Sequence, residues 1–196
     1  MLPQNMRIHT KDDLKSFLEK ELSKYSNNPI INWFLIGEEA VLRRHQILLR
    51  KTEYFVNSNK KLRALFYEFR LFRLQTKYCL HIPLNCCGKG FRIMHLGPIL
   101  INSKSTLGEN VCIHINTSIV AGGTNDMVPT IGNGVVIGVG AVVLGGVTIA
   151  DNIAIGANAV VNKDFLEENI AIAGSPAKKV SNNGRLSWGK KKNISQ

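Results

Sequence analysis

The sequence predicts a parallel β-helix built from six-residue repeats, preceded by an α-helical region. Three observations predict it. Counting in sixes from Ile101, every position through Val161 except Asn125 is aliphatic: Leu107, Ile113, Ile119, Ile131, Ile137, Val143, Ile149 and Ile155 lie between. The next position of each six is often small, as at Gly108, Gly132, Gly138, Ala150 and Gly156. The fifth is small or β-branched, as at Val111, Thr117, Val135, Ala141, Val147, Ile153 and Ala159. A helix repeats its apolar face every 3.6 residues and a lone strand every 2, so an unbroken period of six belongs to neither. It suits short strands that turn a corner every six residues and point their aliphatic side chains into a shared core. Gly or Ala beside the core position leaves room where a side chain would collide.

The elements before the repeat read as helices. Thr10 with Asp13 forms a near capping box, followed by Leu14, Phe17, Leu18 and Leu22 at helical spacing. Ser26-Asn27-Asn28-Pro29 ends that helix. A second helix is expected over about residues 38–55, with Val41, Leu42, Ile47 and Leu48 as its apolar side, and Asn57-Ser58-Asn59 breaks it. A third, over about 60–78, carries Leu62, Leu65, Phe66, Phe69, Leu71, Phe72 and Leu74 among basic residues. Its wide apolar set is expected to pack on the repeat domain; an interfacial membrane helix is the other reading. The repeat starts near Ile82-Pro83 and breaks once between Gly122 and Thr130, where the composition is that of a loop, and the frame resumes at Ile131 without a shift. Such a loop commonly lies on the functional face of a solenoid. The repeat stops after Val161. The expected organisation is a helical region over 1–80, an all-β repeat domain over 81–180, and a polar, basic, mobile tail over 181–196.

Composition narrows the class. At 196 residues and 44% apolar content, the chain is one domain or one domain with a small appendage. No stretch approaches the ~20 apolar residues of a membrane span, and the first residues lack the apolar core of a secretory signal. A cytoplasmic location, peripheral at the inner membrane if the third helix is interfacial, is the expectation. Cys79, Cys86, Cys87 and Cys112 have no metal-ligand spacing and read as reduced thiols, so no metal is expected. The net charge of +11 is uneven. From Arg43 to Lys77, basic residues face only Glu53 and Glu68, and Lys190, Lys191 and Lys192 add to the tail. That is a solvated basic face, or a surface attracting an anion such as a nucleotide cofactor, an acidic glycan or an anionic membrane. No nucleic-acid-binding module is recognisable.

Among the histidines, His9 and His45 lie in the helical region without chemical neighbours in sequence. His114 follows the core residue Ile113, so its side chain faces outward. Three sixes make one coil, so His95, nineteen residues earlier, belongs on the neighbouring coil and close to it. Carried back from Ile101, the frame puts His95 in a core slot, and Gly97-Pro98 lets the backbone leave that register. From spacing, His95 is either a buried, hydrogen-bonded histidine or a functional one.

A resemblance goes further. The run Gly90-Phe-Arg-Ile-Met-His95-Leu-Gly-Pro-Ile-Leu-Ile-Asn, then Leu107-Gly-Glu-Asn, Pro129-Thr-Ile-Gly, Ile155-Gly-Ala-Asn-Ala-Val-Val-Asn-Lys-Asp and Ala173-Gly-Ser-Pro-Ala-Lys resembles the hexapeptide-repeat acyltransferases. It is most similar to their serine acetyltransferase branch, which includes O-acetyltransferases of capsule and exopolysaccharide synthesis. The resemblance covers about residues 81–180. It implies a left-handed parallel β-helix, a homotrimer or a pair of trimers, and acetyl-CoA as co-substrate between neighbouring subunits. It implies a catalytic histidine at His95, the end of the Gly-x-x-x-x-His segment. His114 is the best side-chain candidate for a supporting role at the oxyanion, and equally a second base or an acceptor contact. Its cofactor pattern falls on Val139, Gly140, Ala141 and Ala157, with Lys163 and Lys178 toward the phosphates.

Histidine suits the chemistry. An alcohol is a poor nucleophile near neutral pH, and an imidazole with a pKa near ~6.5 can take its proton as it attacks a thioester. Two departures bear on the acceptor. The branch carries an acidic residue before the histidine, here Met94, and a histidine before the proline that resumes the coil, here Val128. Without partners for an amino acid's charges, a zwitterion is costly to hold. The expectation is therefore acetylation of a sugar hydroxyl in surface-polysaccharide synthesis. Serine O-acetylation and a non-catalytic β-helix scaffold are the alternatives.

Overall fold

The structure is a computed structural model that describes residues 1–25, 37–123 and 126–187. The expected helix end at Ser26-Asn27-Asn28-Pro29, the missed repeat position Asn125 and the three tail lysines lie outside those residues. Among the described residues, a 3-10 turn at Gln4–Met6 is followed by three α-helices: α1 (Lys11–Leu22), α2 (Glu38–Asn57) and α3 (Lys61–Tyr78). Fourteen short strands follow in chain order among the described residues. The first seven are β1 (Leu80–His81), β2 (Arg92–Ile93), β3 (Ile99–Ile101), β4 (Thr106–Leu107), β5 (Cys112–Ile113), β6 (Thr117–Val120) and β7 (Thr130–Ile131). The rest are β8 (Val136–Ile137), β9 (Val142–Leu144), β10 (Thr148–Ile149), β11 (Ala154–Ile155), β12 (Val160–Val161), β13 (Ala171–Ala173) and β14 (Lys178–Ser181). The all-β expectation thus holds from Leu80 onward, and the helices make the whole chain mixed.

The strands stack into three faces. One runs β1-β3-β6-β9-β12, the second β4-β7-β10, and the third β2-β5-β8-β11-β13-β14. All pairs are parallel except β13 with β14, which is antiparallel and closes the end. Register places equivalent repeat positions on top of one another: Ile101 on Ile119 on Val143, Leu107 on Ile131 on Ile149, and Ile113 on Ile137 on Ile155. Each of these is buried. At about 1.5–3 kcal/mol per buried aliphatic side chain, this column is the main stabilising element of the coil.

The corners explain the remaining repeat positions. Three residues past the core aliphatic the backbone turns left-handed: φ is 57° at Asn110, 65° at Gly134 and 60° at Asn152 on one corner, and 59° at Asn116, 70° at Gly140 and 55° at Asn158 on another. Asn and Gly tolerate that conformation best. The small residue just after the core position serves stacking instead. A Cβ on Gly108 would lie 2.7 Å from the Gly132 carbonyl carbon, and one on Gly132 would lie 2.9 Å from that of Ala150.

The coil runs past Val161, where the strict repeat stops. Phe165 bridges to Ile149, and Ile172 stacks on Ile155. A shape-compatible apolar residue suffices there without the six-residue spacing. Nor is the start of the tail loose: Gly184 N–H donates to the Asn169 carbonyl and Arg185 N–H to that of Asn152, both at 2.8 Å, folding residues 181–187 under the last coil.

The helices clasp the first coil. Thr10 and Asp13 form the full capping box of α1, and those hydrogen bonds hold the Asp13 carboxyl below its ordinary range. Arg50, expected on a solvated basic face, is buried at 1% exposure. Its guanidinium meets Glu21 of α1 at 2.7 Å and Glu53 at 2.8 Å, and donates to the Cys87 and Gly88 carbonyls at 3.0 Å. Burial pushes the Glu21 carboxyl up, against the pull of Arg50. Helix α3 departs from expectation most. Only Ala64 and Leu71 are buried, while Leu62, Leu65, Phe66, Phe69 and Phe72 are exposed on the opposite side. The helix is apolar on two faces, and the single chain covers one.

Candidate active site

One corner of the coil, between the third face and the first, gathers most of the predicted residues. It is a stack of turns: 94–98, 114–116, 138–140, 156–158 and 174–176, one per coil. Neighbouring turns are linked by backbone bonds such as Gly140 N–H to the Ile115 carbonyl at 3.1 Å and Asn158 N–H to the Val139 carbonyl at 2.8 Å. With strands ~4.8 Å apart, the stack forms an edge along the coil axis. Down it come His95, His114, Val139 with Gly140, Ala157, and finally Lys178, which pairs with Ala173.

His95 leaves the six-residue register, as the Gly97-Pro98 break allows. The core slot is filled by Ile93, fully buried, and the next core position, Ile101, comes eight positions later instead of six. The two extra residues bulge outward and carry the His95 side chain to the surface, 56% exposed. Its ring centroid lies 5.8 Å from that of His114, tilted by 41°. The expected pairing of the two histidines across neighbouring coils is therefore present.

His114 is less exposed. Its Nδ1 is buried and has no hydrogen-bond partner among the described residues. Desolvation, then the neighbouring His95, lowers its pKa below the usual 6.5. The shift favours the neutral imidazole, which can donate one hydrogen bond.

One neighbour of His95 had no sequence signal. Glu38, the first residue of α2, lies with its carboxylate 3.5 Å from His95 Nδ1 and accepts the Leu96 N–H. The pair Glu38-Glu39 reads in sequence only as acid favoured at a helix start. Nothing local links position 38 to a histidine 57 residues on; only the path of α2 across the first coil brings them together.

The predicted cofactor residues divide. Val139, Ala157 and Lys178 are exposed along the corner. Ala141 has its side chain buried in the core, and its N–H is spent on the Gly138 carbonyl. The Gly140 N–H is spent on Ile115. Both residues therefore shape the wall and have no amide to offer. Lys163 sits beyond β12, at the far end of that strand from Ala157, with its ammonium 5.5 Å over the Phe165 ring. The structure does not bring it to the corner with the others. Among the described residues no group of three or more His, Cys, Asp or Glu is placed to hold a metal ion. Burial raises the Cys86 thiol to about 11 and pushes Cys87 up as well, so neither is a ready nucleophile.

The fold is a parallel β-helix of six-residue repeats with helices docked at one end. No family model matches the chain. It is similar to a serine acetyltransferase of Helicobacter pylori, 38% identical over 98 residues, covering 48% of this chain and 56% of that protein. It is also similar to one of Buchnera aphidicola, 31% identical over 174 residues, covering 86% of this chain and 60% of that protein. The chain thus spans little more than half the length of these relatives. Among solved structures, the Neisseria gonorrhoeae serine acetyltransferase superposes with a TM-score of 0.64 at 24% identity, covering 88% of this chain and 68% of that one. The coenzyme A complex of the Brucella abortus serine acetyltransferase gives 0.63 at 20% identity, covering 88% and 68%. The shared fold is the left-handed parallel β-helix.

Proposed function

We propose that the protein is an acetyl-CoA-dependent O-acetyltransferase in which His95 is the general base. The observation that carries this reading is the corner itself: two facing imidazoles at its head, with Val139, Ala157 and Lys178 in line below. His95 is exposed and takes the proton of an acceptor hydroxyl as the oxygen attacks the thioester carbonyl. His114, whose neutral form desolvation favours, stands beside it as a hydrogen-bond donor for the developing oxyanion. Lys178 is the cation along the edge for the phosphates of the co-substrate. Lys163 serves that role only from a neighbouring subunit, where it would face a different corner.

The acceptor best supported is serine, because every relative named above is a serine acetyltransferase. A sugar hydroxyl, as in surface polysaccharides, is the second reading. It is favoured by apolar Met94 and Val128 where the serine branch carries an acid and a histidine. In a single chain the corner is one open wall. We propose a homotrimer in which a neighbouring subunit supplies the other wall, and the uncovered apolar face of α3 supports self-association.

The test is acetyl-CoA consumption by the purified protein, offered L-serine in one series and a panel of sugars and acidic oligosaccharides in another. Serine turnover supports the first reading, and glycan turnover without serine turnover the second. His95→Ala should lower turnover about 10²–10⁴-fold with folding and CoA binding intact. Near-normal turnover in that variant would remove His95 from the mechanism.

A further inference from the structure

Helix α2 runs along the first coil in the opposite direction to segment 85–96, joined to it at each step. From the C-terminal end, Asn57 meets the Asn85 side chain at 2.9 Å and Glu53 accepts the Asn85 N–H at 2.8 Å. Arg50 donates to the Cys87 and Gly88 carbonyls, and Gln46 to the Phe91 carbonyl at 2.9 Å. The N-terminal end then delivers Glu38 to Leu96 and His95. The bonds from Glu53 to Gln46 are buried, so the position of Glu38 is set by the body of α2 and not by its own exposed surroundings.

We propose that Glu38 is the positioning residue of the His95 base, supplied by the helical region. This rests on the reading of His95 above. The carboxylate holds the His95 Nδ1–H, fixing the neutral ring in the tautomer whose Nε2 is bare. An imidazole accepts a proton only at its unprotonated nitrogen, so this tautomer presents one defined atom to the acceptor hydroxyl. When Nε2 takes that proton, the ring becomes a cation with the carboxylate already beside it, so no reorganisation accompanies the transfer. The bond to Leu96 N–H keeps the carboxylate from rotating away.

The tautomer is read without turnover. In 15N-histidine-labelled full-length protein at pH 8, two-bond 1H–15N spectra should show His95 protonated at Nδ1, and Glu38→Ala should shift it toward the Nε2–H form. In kinetics, Glu38→Ala should lower kcat about 10- to 100-fold, on the scale of residues that orient a catalytic imidazole, with KM for the acceptor little changed. Glu38→Asp should restore part of the rate. A His95 tautomer identical in wild type and Glu38→Ala overturns the proposal, whether or not the protein acetylates anything. A rise in acceptor KM at unchanged kcat overturns it too, because Glu38 would then be holding the acceptor. If the wild type turns over no acceptor, the spectra still decide the Glu38–His95 link, and only the reading of function falls.

Discussion

Acid should weaken this protein through one buried histidine. His45 lies on α2 against α3, fully buried, with Nε2 3.2 Å from the Gln75 amide nitrogen, which also donates to the Ile82 carbonyl at 2.9 Å. In that arrangement the imidazole is neutral and accepts at Nε2. Desolvation depresses its pKa from 6.5 to about 4. The unfolded chain therefore binds a proton between those values that the native state does not. Stability contributed by His45 is complete above pH ~6.5, falls as pH drops, and levels off below about 4. At about 1.4 kcal/mol per pH unit over that interval, the loss is about 3 kcal/mol. The assay is urea unfolding followed by circular dichroism at fixed protein concentration, from pH 7.5 to 4.5, for wild type and His45→Gln. Other titrating groups are common to both and cancel in the difference. The wild type should lose at least about 2 kcal/mol more than the variant across that range. Parallel curves would refute the reasoning, showing that His45 finds a proton in the native state as easily as in the unfolded one.

Three further outcomes follow from the packing. Arg50→Met leaves Glu21 and Glu53 buried without their cation, and should cost about 3–5 kcal/mol, read as a lowered Tm or as failure to fold. Gly138→Ala places a Cβ 2.8 Å from the Ala157 nitrogen and the Ile155 oxygen, in the middle of the candidate corner. Backbone cannot yield there cheaply, so it should destabilise by about 1–3 kcal/mol in denaturant titrations. Ile137→Asp puts a charge in the stacked column and should abolish soluble folded protein on expression, because an unpaired buried carboxylate has no partner in an aliphatic core.

The spacing of Ile, Leu and Val determined the coil by itself. A period of six has one geometric solution with a buried aliphatic column, and the register Ile113 on Ile137 on Ile155 is that solution. The helix starts were legible for a local reason, since the Thr10–Asp13 box acts over three residues. The facing of His95 and His114 was legible because coil length fixes which residues are neighbours. Where the repeat loosened, sequence lost its hold. Phe165 and Ile172 complete the last coil without the period, because a core asks for volume and apolarity at a place, not for spacing. The exposed stripe of α3 carried the same pattern as a buried one, since amphipathic spacing states that a face is apolar and not what covers it. The fate of Lys163, the burial of Arg50 and above all the meeting of Glu38 with His95 were decided only in three dimensions. Each depends on the direction in which one element crosses another, and no short-range pattern in the chain encodes that direction.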